Sequence, residues 1–162
     1  MDTKSAILEH LRMLYEDITD VDVSVEGGTV QVFLQEGRRT IPAARLSDGT
    51  LRWLVLLTIL LHPNPPGLVC LEEPELGLHP DILPALTRLL REASSRMQLI
   101  VTTHSDSVAD ALTECPDAVV VCEKEEGSTT LRRLSRDVLS AWLKRYSLGE
   151  LWRRGEIGGN RW

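Results

Sequence analysis

The sequence lacks the features of several specialised protein classes. Aromatic residues make up only 4% of the 162 residues, so the core must be aliphatic. The three cysteines form no C-x-x-C pair, which argues against a disulfide framework or zinc ribbon and favours a reducing compartment. No apolar run reaches the roughly 18 residues that a membrane span needs. The charged first residues lack the apolar stretch of a signal peptide. These absences predict a cytoplasmic protein.

Several motifs are also missing. G-x-S-x-G and H-E-x-x-H do not occur, which argues against a serine hydrolase and a zinc protease. The phosphate-binding loop G-x-x-x-x-G-K-[ST] is absent too. Only Lys124 and Lys144 follow Lys4, and neither comes after a glycine. Residues 1–162 therefore lack the usual cradle for the β- and γ-phosphates of a nucleotide.

What is present is typical of a globular domain, with 43% apolar and 26% charged residues. The net charge of −6 divides unevenly, into −10 for residues 1–123 and +4 for residues 124–162. The acidic body is a poor nonspecific DNA binder. The basic end is interpreted as a solvated helix, with a phosphate-contacting tail as the alternative.

Hydrophobic patterning predicts the elements of the first half. Apolar spacing indicates a helix over 5–17. Alternating valines on both sides of Gly27-Gly28 predict a half-buried antiparallel hairpin, and a short strand lies near residues 40–41. Ser47 is the expected cap of an apolar helix that runs to about Leu61.

Three short, continuous apolar runs predict strands buried on both faces of a parallel sheet. They cover residues 67–71, 98–103 and 118–122, with helices over 81–91 and 105–112 between them. Strands alternating with helices indicate an α/β fold with right-handed crossovers. An antiparallel strand over 129–134, a last helix over 138–146 and a glycine-rich tail complete the prediction.

Ligands of such sheets bind at the carboxyl ends of the strands. The residues found there are Glu72-Glu73, His104-Ser105 and Glu123. Two adjacent carboxylates at the end of a buried strand need a compensating cation, and Mg²⁺ suits one or two carboxylates plus water. Glu72 and Glu73 point to opposite sides of a strand, so one could hold the metal while the other polarises a water. His104 could contact a phosphate oxygen or that water.

A second candidate binding segment is L-S-D-G-T-L-R, residues 46–52. Ser47 and Gly49 stand at a predicted helix N-terminus, where a hydroxyl and backbone amides favour an anion. The segment is alternatively only a helix cap.

In their order and spacing these motifs resemble the ABC-type ATPases of the SMC and RecF kind, especially stand-alone predicted AAA ATPases of bacteria. L-S-D-G-T-L-R resembles the signature motif and G-L-V-C-L-E-E-P the Walker B strand. E-L-G-L-H-P resembles the D-loop and T-T-H-S the switch histidine. The ending L-G-E-L-W-R-R-G-E-I-G-G-N-R-W is similar to the C-terminus of the stand-alone members.

The resemblance implies ATP and Mg²⁺ as cofactors and gives each residue a role. Glu72 occupies the position of the Mg²⁺-associated acid, which is usually Asp in the wider family. Glu73 occupies that of the general base, and His104 that of the γ-phosphate sensor. Ser47 and Gly49 would contact the γ-phosphate of ATP held by a second subunit, and residues 76–79 would line the dimer interface.

Because the phosphate loop is missing, the chain is expected to be the C-terminal half of a P-loop NTPase domain. The half-domain would span 1–162, with a signature helix at about 46–62, a core at 67–122 and a C-terminal helix and tail at 135–162. It would be a fragment, a truncated gene product or one piece of a split protein. Its expected partners are the missing N-terminal half or a second ATPase subunit, with DNA as a possible ligand of the complete protein and no membrane.

Two other functions stay open. A truncated ATPase could act as a non-catalytic interaction module, which the missing loop favours for this chain alone. A metal-dependent nuclease could use Glu72, Glu73, Glu75 and Asp106, although the D-x-D pair of this sequence, Asp20-Val21-Asp22, lies about 50 residues before these glutamates. Nicking of plasmid DNA with Mg²⁺ would distinguish the nuclease.

Overall fold

The chain folds into two units. A computed structural model describes residues 2–159, and the units are Met1–Thr102 and Thr103–Trp162. Among the described residues, none of the helices combines the length and the apolar character that crossing a bilayer would demand.

The first unit consists of a three-stranded antiparallel sheet, a two-stranded parallel sheet and three helices. In chain order its elements are α1 (Thr3–Arg12), β1 (Ile18–Glu26), β2 (Thr29–Glu36), β3 (Arg39–Pro42), α2 (Asp48–Leu60), β4 (Leu68–Glu72), α3 (Leu83–Ala93) and β5 (Gln98–Thr102). Short 3₁₀ turns precede α2 and α3. The predicted helix over 5–17 ends earlier, at Arg12, and the chain then turns into β1.

The hairpin of β1 and β2 forms where alternation predicts it. Gly27 and Gly28 have φ angles of 56° and 81°, and these positive values suit the two-residue turn that joins antiparallel strands. Val23 pairs with Val32 across the strands. Burial decreases toward the turn, however, and Val23 is 62% exposed, so the hairpin is covered only near its base.

The core of the first unit lies between α2, α3 and the sheets. Apolar side chains recur along one face of α3 and along most of α2, so both helices bury leucines together with the indole of Trp53. The Trp53 ring nitrogen donates a hydrogen bond to the backbone oxygen of His10 (3.3 Å), which ties α2 to α1.

β4 and β5 form the parallel pair that the apolar runs predict, with Cys70 opposite Ile100. The prediction that these strands are buried on both faces is wrong. Alternate residues face the core, but Leu68 and Ile100 on the other face are 48% and 52% exposed. The helices of the first unit cover one face of this sheet only, so Leu68 and Ile100 on the other face are exposed beside polar residues of the same face.

The second unit contains short helices and one antiparallel hairpin. Its elements are α4 (Asp106–Asp110), β6 (Val120–Glu125), β7 (Ser128–Arg133), α5 (Arg136–Leu139) and α6 (Leu148–Arg153). The core is aliphatic and includes Val121, Leu148 and Leu151.

Two predictions for the second unit are wrong. The strand expected over 118–122 is β6, and it pairs antiparallel with β7 because the Glu126-Gly127 turn closes a local hairpin. Within residues 2–159, it joins no parallel sheet. The helix expected over 138–146 is only the single turn of α5, while α6 lies within the segment that the sequence indicates as a glycine-rich tail.

Candidate functional site

The start of α2 contains a chain of three hydroxyl groups. Ser47 caps the helix, because its Oγ accepts a hydrogen bond from the Thr50 backbone N–H (3.2 Å). The same Oγ lies 2.7 Å from Thr50 Oγ1, which in turn lies 2.6 Å from the Tyr15 hydroxyl. Thr50 is buried, whereas Ser47 is exposed. A buried threonine therefore holds the cap from the protein interior, while Ser47 itself is an exposed residue.

Gly49, in the first turn of α2, packs directly against the loop that follows β4. A Cβ atom at Gly49 would lie 2.6 Å from the backbone oxygen of Gly77, closer than real Cβ atoms approach. Only glycine fits this contact without a shift of the loop. The two segments that resemble the signature motif and the D-loop thus lie side by side within one chain.

The acidic pair at the end of β4 has an unusual backbone. Glu72 is the last strand residue and is exposed, and Glu73 is half-buried with φ = 42°, in the left-handed region. A non-glycine residue held there costs of order 1–3 kcal/mol, and such residues concentrate at functional sites. Glu73 therefore turns away from the strand direction, which alters the simple prediction that the two side chains alternate across the sheet.

Three hydrogen bonds keep Glu73 in this conformation. Its backbone N–H donates to the backbone oxygen (3.0 Å) and to Oγ1 (3.3 Å) of Thr102, at the end of β5. Its backbone oxygen accepts from the guanidinium of Arg52 on α2 (3.3 Å). The start of α2 and the ends of both parallel strands thus meet at Glu73.

The loop after Glu73 is tightly turned and partly exposed. The backbone N–H of Leu76 donates to Glu73 O, and that of Leu78 donates to Glu75 O, both at 3.1 Å. Leu76 is 51% exposed, and His79 is also exposed. An exposed apolar side chain on this loop is compatible with the predicted interface position of residues 76–79.

The residues present are compatible with a Mg²⁺ ion bound by one or two carboxylates. Glu72 offers an exposed carboxylate at the strand end, and Mg²⁺ normally completes its shell with waters and phosphate oxygens. Among residues 2–159, no group of three or more His, Cys, Asp or Glu side chains is placed to hold a metal.

His104 and Glu123 belong to the second unit. His104 is exposed and directly precedes Ser105, the N-cap of α4, whose Oγ accepts from the Val108 backbone N–H (3.4 Å). Glu123 lies within β6 rather than after it, and its Oε1 accepts from the Gly159 backbone N–H (3.1 Å). The Glu123 carboxylate thus holds the C-terminal segment.

The acids of the nuclease alternative are divided between the units. Glu72, Glu73 and Glu75 belong to the first, and Asp106 belongs to the second. There Asp106 forms an ion pair with Arg153, whose hydrogen bond holds the pKa of the Asp106 carboxyl below its ordinary value. This aspartate has a structural partner within its own unit.

Arg52 and Tyr15 had no role in the site predicted from the sequence, and Gly77 was placed only within the expected interface segment 76–79. Arg52 ends the L-S-D-G-T-L-R segment, so its membership of this candidate binding segment was the signal that could have indicated it. Nothing local connects Tyr15 with Thr50, which is 35 residues further along the chain.

Parallel strands that end in an acidic, strained loop beside a capped helix N-terminus define a P-loop-NTPase-like α/β domain. Residues 5–110 match the sequence profile of the family described as "AAA domain, putative AbiEii toxin, Type IV TA system", and the chain belongs to this family. The family makes the domain ATPase-related and implies nucleotide and Mg²⁺ use in general. No curated protein matches the sequence.

Solved structures of SMC ATPase heads have a similar fold. One comes from work on the ATP-driven dimerization and DNA-stimulated activation of SMC ATPases, with a TM-score of 0.61, 15% identity and coverage of 88% of this chain and 89% of that one. An Smc head bound to the C-winged helix domain of ScpA has a TM-score of 0.68 and 15% identity, with coverage of 86% and 44%. An Smc head with an extended coiled coil, bound to the C-terminal domain of ScpA from Pyrococcus furiosus, has a TM-score of 0.67 and 14% identity, with coverage of 88% and 37%. The chain thus spans less than half of the last two.

Proposed function

We propose that this chain takes part in ATP binding and hydrolysis as the C-terminal half of an SMC/RecF-like ATPase. The observation that carries the proposal is the backbone of Glu73, which is held in the left-handed region by Thr102 and Arg52 at the end of a parallel strand. Strained backbone conformations of this kind are concentrated at functional sites, where they fix the direction of a side chain. The proposed half-domain comprises residues 1–162, with a signature helix at 46–62, a core at 67–122 and a C-terminal segment at 135–162.

The role proposed for each side chain is the one that the resemblance to the family motifs implies. Glu73 orients the attacking water as general base, a contribution typically worth about 10²–10⁴-fold in rate. Glu72 holds the water shell of Mg²⁺, and His104 contacts the γ-phosphate. When bound, Mg²⁺ would neutralise charge on the phosphate oxygens.

Ser47 and Gly49 are proposed to meet ATP held by a second subunit. The work on one structural relative describes ATP-driven dimerization of SMC ATPases. The hydroxyl chain supports a donor role for Ser47. If Tyr15 donates to Thr50 and Thr50 donates to Ser47, then the Ser47 Oγ accepts two hydrogen bonds and its own proton is directed to another acceptor. A phosphate oxygen is a suitable acceptor.

The chain alone is proposed to be inactive, since residues 1–162 contain no phosphate loop. The exposed side chains of Leu68 and Ile100, on the uncovered face of β4 and β5, support docking of a polypeptide that carries this loop. The non-catalytic interaction module is the second candidate, because the same exposed side chains suit association without chemistry.

A titration with Mg²⁺-ATP separates these possibilities. Isothermal titration of the chain alone should show no binding at micromolar ATP, and addition of the polypeptide that carries the phosphate loop should restore it. Micromolar binding by the chain alone would mean that the phosphate site is built another way. Binding without turnover in the reconstituted protein would favour the interaction module.

Glu73→Gln in the reconstituted protein tests the assignment of the general base. We expect turnover to fall about 10²–10⁴-fold and ATP affinity to be kept, so that an ATP-bound dimer accumulates. Glu92→Gln on the exposed side of α3 makes the same chemical change elsewhere and should behave like the parent. Parental turnover in Glu73→Gln would show that the acids are wrongly assigned.

A further inference from the structure

The segment that resembles the C-terminus of the stand-alone ATPases forms a capped helix. The Ser147 backbone N–H donates to Glu150 Oε2 (2.9 Å), and the Glu150 backbone N–H donates to Ser147 Oγ (3.2 Å), which is a capping box at the start of α6. Leu148 and Leu151 are fully buried, so this short helix is anchored in the core of the second unit.

α6 packs very closely on α4. The Gly149 backbone N–H donates to Asp110 Oδ1 (2.8 Å), and a Cβ atom at Gly149 would lie 2.5 Å from that oxygen. The Leu148 backbone N–H donates to Thr113 Oγ1 (3.0 Å) just after α4. At the other end of the contact, Arg153 forms its ion pair with Asp106 in the first turn of α4.

α4 has too few residues to define its own orientation. It comprises only Asp106–Asp110, and isolated helices of this length are not stable in water. Ser105 caps it, and the Ser105 backbone N–H also donates to Thr103 Oγ1 (3.0 Å). His104 lies between these two bonded residues, so the position of α4 sets the backbone on either side of His104.

We propose that α6 is a clamp that holds α4 and thereby orients His104. Gly149 allows the close approach, while Asp110 and the Asp106–Arg153 pair fix the two ends of α4. These are positioning residues, since they act through His104. The inference rests on the proposed function only in giving His104 a role toward phosphate, and the clamp itself can be tested without nucleotide.

The decisive measurement is amide hydrogen exchange of residues 105–112 in the 162-residue chain, together with the NMR resonances of the His104 ring. Arg153→Ala should speed exchange in α4 by up to about fivefold, as expected for loss of a partly exposed ion pair. It should also shift the His104 resonances. Arg153→Lys should restore both signals in part, because the charge is kept.

Arg154→Ala is the matched control. The Arg154 guanidinium lies over the ring of Tyr146, 4.2 Å from its centroid, so this variant removes the same side chain one position away while sparing the pair with Asp106. It should leave α4 exchange and the His104 signals at parental values. Parental α4 exchange in Arg153→Ala, or equal effects in Arg153→Ala and Arg154→Ala, would overturn the clamp.

Turnover of the protein reconstituted with the phosphate-loop polypeptide provides a separate readout. Arg153→Ala should lower kcat, by about tenfold where orientation is the cause, with the Kd for ATP unchanged. If His104→Ala keeps parental turnover, the phosphate role of His104 fails, and the clamp is then decided by exchange and NMR alone. Loss of kcat in His104→Ala but not in Arg153→Ala would refute the clamp as a positioning device.

Discussion

Replacing Gly49 with alanine adds one methyl group where α2 meets the loop after β4. At an ordinary exposed helical position this change stabilises a helix by up to about 1 kcal/mol. Here the new Cβ would lie 2.6 Å from the backbone oxygen of Gly77. Since that oxygen belongs to the main chain, it cannot rotate away as a flexible side chain would, and the loop or the helix must move.

The magnitude follows from these two opposing effects. Overpacking a tight contact typically costs about 1–3 kcal/mol, and the gain in helix propensity offsets part of it. We therefore expect the free energy of unfolding to fall by about 1–2 kcal/mol. Gly67→Ala is the matched control, because nothing lies within 4 Å of its added Cβ. Its stability should change by no more than about 0.5 kcal/mol.

Urea unfolding followed by far-UV circular dichroism measures both variants against the parent. If Gly49→Ala is as stable as the parent or more so, α2 does not pack tightly on Gly77. Packing would then not be the reason for a glycine in this signature-like segment. A loss of stability without nucleotide would show that the fold itself requires Gly49.

Further expectations concern the hydroxyl chain, the strained acid and the ion pair. Thr50→Val removes the partner of the Tyr15 hydroxyl and should lower the free energy of unfolding by about 1–2 kcal/mol. Thr50→Ser keeps a hydroxyl and should lower it less. Equal losses of the two variants in a urea titration would argue against the chain of hydroxyls. Glu73→Gly allows the same positive φ without steric strain and should raise the free energy of unfolding by up to about 1 kcal/mol. A clear destabilisation would show that the Glu73 backbone is not strained. Because Arg153 lowers the pKa of Asp106, the stabilisation from this pair is complete above the ordinary pKa of 3.8 and disappears as the pH falls through the folded-state pKa. Below about pH 4 the parent should therefore lose more stability on acidification than Asp106→Asn, and identical pH profiles of the urea midpoint would refute this.

The sequence by itself determined the local elements whose signals lie within a few residues. Alternation on both sides of Gly27-Gly28 predicted the hairpin of β1 and β2, and Ser47 predicted the start of α2. Apolar runs predicted β4 and β5 and placed Glu72 and Glu73 at the carboxyl end of a parallel strand. The segment of α6 was predicted only as part of a glycine-rich tail, so the capping box at Ser147 and Glu150 emerged from the structure.

Only the tertiary structure decided which segments meet and which faces stay open. The contact of Gly49 with Gly77 and the bond of Tyr15 to Thr50 join residues far apart in sequence. The apolar run of β6 has the same composition as that of a buried parallel strand, yet its partner is the adjacent β7. Periodicity records which side chains favour burial, whereas pairing and coverage depend on long-range packing that no local pattern encodes.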